Sequence, residues 1–157
     1  MSQILLLKPN DVFRLTNLSG NIDIDKITPY IFMAQTTDIR RILGKDLYAK
    51  ILSDYDSDTL TGDYEYIYNE YVLFILANYS AAYYIKDGGV QITNGGIVVS
   101  NVENGTAADS KTVNLLSENR SQMAVSFEAQ LIEYLDTLSL PEYPNKNGST
   151  KRIVKWY

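Results

Sequence analysis

The sequence predicts a mainly α fold: an antiparallel bundle of about four helices, with a β-hairpin inserted before the last long helix. Three observations carry that reading. Apolar residues recur at helical spacing through several long stretches, glycine or proline ends most of these stretches, and one glycine-centred break separates two short β-branched runs.

The first helix is expected from about Thr28 to Leu43. Thr28 suits the N-cap, and Pro29 suits the first helical position, where a missing N–H costs nothing. Ile31, Ala34, Gln35, Ile39, Ile42 and Leu43 line one face, and Gly44 stands where a C-cap is wanted. A second helix opens near Lys45 with Leu47, Tyr48, Ile51 and Leu52 on one side, and Ser53 to Gly62 reads as a polar loop.

The third helix is expected over about Asp63 to Lys86, with Ile67, Tyr71, Phe74, Ile75, Asn78, Ala82 and Ile85 as its buried stripe. Its second half is apolar nearly all round, as a central helix would be. After Asp87-Gly88-Gly89, the runs Val90–Thr93 and Ile97–Ser100 flank Asn94-Gly95-Gly96, a strong hairpin signal. The last helix runs from about Ser110 to Leu138 on Val113, Leu116, Arg120, Met123, Ala124, Phe127, Leu131, Tyr134, Leu135 and Leu138, and Pro141 and Pro144 close it. Residues 1–26 read as irregular, with one strand candidate at Ile4–Leu7. Residues 27–140 read as the helical domain, and 141–157 as an extended arm.

Composition narrows the function. At 157 residues, 45% hydrophobic and 21% charged, the chain is expected to be one globular domain with a true core. No apolar run approaches the roughly 18–20 residues of a transmembrane helix, and Ile4–Leu7 lacks the features of a signal peptide. Cysteine and histidine are both absent, which removes disulfides, thiolate nucleophiles, the usual zinc sites and the commonest general base. No nucleophile–base–orienter set is visible, so neither an enzyme nor a cofactor is expected. Asp54, Asp56, Asp58 and Glu65 fall at positions one, three, five and twelve of a calcium loop. Thr59 stands where that loop needs glycine, so no metal site is expected. The glycines at 88, 89, 95 and 96 fit neither a P-loop nor a dinucleotide fingerprint.

Charge and aromatics are unevenly placed. Residues 51–85 hold six acids and no base, whereas residues 143–157 hold four bases (Lys146, Lys151, Arg152, Lys155) and no acid. Opposite poles of this kind suit contact between copies or with a neighbour; a solvated loop and a loose tail would look the same. Seven of the thirteen tyrosines lie between Tyr64 and Tyr84. Helical residues two apart diverge by about 200°, so these rings cannot all enter one core. Tyr64 and Tyr68 are therefore expected at a contact surface. The arm ends in Lys151-Arg152-Ile153-Val154-Lys155-Trp156-Tyr157, and its Lys151, Arg152, Ile153, Trp156 and Tyr157 are candidate partner-binding residues. Such a segment either anchors on a neighbour, for example as an added strand, or folds back on its own bundle. Its bases, facing nucleic acid, are the weaker alternative.

The order Ile27-x-Pro29-x-Ile31-x-x-Ala34-Gln35-x-x-x-Ile39-x-x-x-Leu43-Gly44-x-x-Leu47-Tyr48 resembles the opening of the head–tail connector (adaptor) proteins of tailed bacteriophages. It is especially similar to those of Bacteroidetes-infecting and crAss-like phages, and the resemblance covers roughly residues 25–140. It implies a noncatalytic virion protein, made in the host bacterial cytoplasm, that forms a ring, usually of 12 copies, below the portal. Such a ring extends the DNA channel and links capsid to tail. The implied partners are further copies, the portal protein, other tail or connector ring proteins and the passing DNA, with no membrane. By the same analogy the hairpin residues Val90, Ile92, Ile97 and Val99 join the arm as contact residues, and Asp54, Asp56 and Asp58 would face the channel. A reading of a different class is a small monomeric helical binding or regulatory module, and a carboxylate-dependent enzyme comes third.

Overall fold

The computed structural model describes residues 3–16, 18, 23–88, 90–93, 96–99 and 109–144, and these are mainly helical. Helix α1 (Pro9–Thr16) lies inside the segment expected to be irregular. Pro9 opens it at a position that needs no N–H, and Val12 and Thr16, one turn apart, are buried. Ile4–Leu7 is not a strand. Leu6 and Leu7 are consecutive and both fully buried, which a half-exposed strand would not allow. The segment forms a strap across the helices.

Helix α2 (Ile24–Ala34) begins a turn earlier than Thr28. Asp23 is its N-cap, accepting a hydrogen bond from the Asp25 backbone N–H at 3.0 Å. Asp is the better capping residue, and the earlier start brings Ile27 onto the buried face with Ile31 and Ala34. Pro29 therefore sits inside the helix. The rod continues as a π-helical turn (Gln35–Ile39) and the short α3 (Arg40–Leu43). Gly44 ends it at φ 78° and ψ 166°, backbone essentially reserved for glycine, while its N–H still bonds Arg40 O at 3.0 Å.

Helix α4 (Lys45–Asp56) runs on through the first part of the expected polar loop. Lys50 and Asp54 pair one turn apart at 2.8 Å, and Asp58 at φ 55° takes the left-handed cap position. Thr59 N–H bonds Asp54 O and Asp58 N–H bonds Tyr55 O, a Schellman closure with Asp in place of glycine. Helix α5 (Gly62–Ile67), a second π-helical turn (Tyr68–Val72) and α6 (Leu73–Asp87) form the next continuous rod. Every residue from Ile75 to Ala82 is buried, because α6 packs against α7, α2 and α1 at once. Of the stripe expected on this rod, Tyr71, Phe74 and Ile85 are only half-buried.

Strands β1 (Val90–Thr93) and β2 (Gly96–Val99) pair antiparallel, Val90 opposite Val99 and Ile92 opposite Ile97. Helix α7 (Ser110–Thr137) follows, capped by Asp109, whose carboxylate accepts from the Thr112 N–H at 2.7 Å.

The inward face of α7 departs in part from the expected one. Its buried residues are Ser117, Ala124, Glu128, Leu131 and Leu135, spaced by sevens, fours and threes, whereas Leu116 and Met123 are 49% and 46% exposed. Ala124, Leu131 and Leu135 stand where the apolar pattern placed them, but in the first half of the helix Ser117 and Ala124 face inward and Leu116 and Met123 do not. Small side chains inside let it lie close to α6, whose facing stretch is rich in alanine, and the Ser117 hydroxyl bonds Ala82 O at 2.9 Å. Farther along, Phe127 stacks on Phe74 with centroids 5.2 Å apart. Close backbone approach and one ring stack outweigh the burial of two further apolar side chains.

Candidate functional site

The first polar constellation ties the α2–α3 rod to α7. Arg41 reaches Glu128 with both guanidinium nitrogens, at 2.7 and 3.1 Å, and Glu128 is 3% exposed. The Tyr79 hydroxyl donates to the same carboxylate at 3.1 Å, and the Tyr83 hydroxyl donates to Asp38, itself 3.5 Å from Arg41. The hydrogen bond to Glu128 pushes the Arg41 guanidinium above its already high range, and burial pushes the Tyr79 hydroxyl well above the usual tyrosine value. A charge this enclosed is tolerated because it is paired and fully hydrogen-bonded. These residues brace the fold.

The second constellation holds the strap. The Gln35 amide mimics a neighbouring strand: its Oε1 accepts from Leu6 N–H at 2.7 Å and its Nε2 donates to Ile4 O at 2.9 Å. The Tyr68 hydroxyl donates to Leu6 O at 2.7 Å. Gln35 and Tyr68 are the opening residues of the two π-helical turns. The wider turn there offsets the following residues, a local adjustment often found where a side chain is needed in a particular direction.

Of the residues expected at a contact surface, Tyr64 and Tyr68 are half-buried and their hydroxyls serve the chain itself. Tyr64 donates to Glu142 at 2.7 Å, which pushes it up to about 12, and Lys50 sits over its ring. Among the described residues the exposed tyrosine is Tyr66, 47% exposed. Its ring meets Tyr71 at 6.1 Å and Tyr134 at 5.0 Å, and Tyr71 stacks on Tyr134 at 5.7 Å. This three-ring platform joins α5, the second π-helical turn and α7. The sequence reading missed it because one ring comes from a helix more than sixty residues away; the local tyrosine density was the only signal. Val90 and Val99, and Ile92 and Ile97, are the paired positions of the two-stranded ladder. Lys151, Arg152, Ile153, Trp156 and Tyr157 lie outside the described residues.

Asp54, Asp56, Asp58 and Glu65 line an open cleft of about 500 Å³ with Lys8 and Tyr68. Asp54 and Asp56 belong to α4 and Asp58 to its cap, so the four do not form one loop. Among the described residues no three His, Cys, Asp or Glu side chains are grouped to hold a metal ion. No helix among them is long and apolar enough to cross a membrane.

Fold and site together define a small, mainly helical domain with tyrosine-rich and apolar outer surfaces. Residues 39–153 match DUF6712, a family of unknown function, and the chain belongs to that family. Neither a curated protein nor a solved structure matches it.

Proposed function

We propose that this chain is a noncatalytic assembly subunit of a phage head–tail junction, forming a ring below the portal that extends the DNA channel and links capsid to tail. The observation that carries the reading is the outer face of α7. Leu115, Leu116 and Met123 stand 56%, 49% and 46% exposed along two turns, while serine and alanine occupy the inner face. Exposed apolar rows are the mark of a surface that meets another macromolecule. The Ile27–Tyr48 order supports the connector class, since its Gln35, Ile39, Leu43 and Leu47 are all buried. The ladder of Val90, Ile92, Ile97 and Val99, inserted before α7, is a second contact element in this reading.

The test is assembly. Native mass spectrometry of the chain, alone and with the portal protein of its own phage, should show a closed ring, of 12 copies in this reading. Leu116→Asp with Met123→Asp should abolish the ring and leave the helical signal intact. A chain that stays monomeric in every mixture would support the small binding module instead.

A further inference from the structure

The platform of Tyr66, Tyr71 and Tyr134 is bordered by carboxylates, while Lys50, over the Tyr64 ring, is paired with Asp54. It is built from the stretches 51–85 and 121–145, which contain ten acids (six and four) and no Lys or Arg. Asp63 lies one helical turn before Tyr66, with its carboxylate 3.5 Å from the Tyr134 hydroxyl; Glu70 and Glu133, both exposed, directly precede Tyr71 and Tyr134 in the chain. Aromatic faces beside carboxylates favour a cationic and aromatic ligand.

The chain carries one such ligand. Residues 146–157 hold four bases, no acid, and the only tryptophan. They leave the described structure after Pro144, where Tyr143 is buried and Glu142 is bonded to Tyr64, on the same short helix as Tyr66. The six residues 145–150 are polar or glycine, and six residues of such composition reach roughly 13 Å as a coil and at most about 20 Å. A tether that short holds its end near the platform at an effective concentration of about millimolar.

We infer that in the free chain the segment Lys151–Tyr157 docks on its own chain's platform, Trp156 and Tyr157 against Tyr66 and Tyr134, and Lys151, Arg152 and Lys155 toward Asp63, Glu70 and Glu133. The inference does not rest on the ring. It requires only the isolated chain, at dilutions where sedimentation shows a monomer.

Trp156 is its own probe. Its emission in the full chain should be several-fold less quenched by acrylamide than in a synthetic peptide of residues 145–157, and unchanged on tenfold dilution. Tyr66→Ala, and separately Glu70→Lys with Glu133→Lys, should each return the quenching to the peptide value while far-UV circular dichroism is preserved. If Tyr66→Ala loses helical signal, the charge variant alone decides. Quenching equal to the peptide's, quenching indifferent to the variants, or protection that vanishes on dilution would each overturn docking within one chain. The last of these would assign the segment to a second copy, and failure of ring assembly would leave the inference untouched.

Discussion

Arg41 and Glu128, 87 positions apart in the chain, meet in a two-point contact that fixes the α2–α3 rod against α7. The two partners are not equivalent: Glu128 is buried, whereas the Arg41 side chain is 45% exposed. Arg41→Ala would leave a buried carboxylate without its charged partner, with the Tyr79 hydroxyl still donating, and should cost about 3 kcal/mol. For a chain of this size that lowers Tm by roughly 6–12 °C. Glu128→Gln leaves Arg41 able to reach water and keeps an acceptor for Tyr79, so about 1 kcal/mol is expected. Urea denaturation of the two variants should show that asymmetry, and equal losses would count against it.

The strap depends on one side-chain amide. Gln35→Leu leaves the Leu6 N–H and the Ile4 carbonyl without their partner, at an expected cost of about 2–4 kcal/mol. Tyr68→Phe removes a single donor and should cost about 1 kcal/mol. Hydrogen exchange at the Leu6 amide distinguishes them, accelerating strongly in Gln35→Leu and little in Tyr68→Phe.

Adjacent positions on α7 should behave oppositely, since Ala124 is buried and Met123 is 46% exposed. Ala124→Leu places a large side chain where α7 lies close to α6 and should destabilise by about 1–3 kcal/mol. Met123→Ala, one position earlier and facing out, should stay within about 0.5 kcal/mol of the parent. Comparable losses at the two positions would count against this placement.

Stability should decline at both pH extremes for identifiable reasons. Burial raises the hydroxyls of Tyr68 and Tyr79, and the bond to Glu142 raises Tyr64 to about 12. A folded value above the unfolded one means the native state holds its proton longer. The contribution is complete below about pH 10, the ordinary tyrosine value, and is lost as pH rises through the folded values. The tyrosinate absorbance of these residues should therefore appear together with alkaline unfolding. Asp109 is shifted the other way, lowered by its bond from the Thr112 backbone N–H. Its capping contribution is complete above about pH 4 and disappears as pH falls through the folded value. Exchange in the first turn of α7 should accelerate there before the rest of the helix.

Sequence alone determined the mainly α class, the glycine break at Gly44 and the extents of the third and last helices. Those features follow from spacing and capping within about one turn of the chain. It also marked Gln35 as inward-facing, though not as a strap clamp, since that role requires Leu6 to arrive from 29 positions away. Local pattern did not reveal α1, whose burial depends on α6 and α2, nor the earlier start of α2. It placed Ala124, Leu131 and Leu135 correctly on the inner face of α7, but also put Leu116 and Met123 there, where the closeness of alanine-rich α6 outweighs the apolar count. The Tyr66–Tyr71–Tyr134 platform belongs to the same class. Periodicity reports which residues share a face, and only packing between distant segments decides what that face meets.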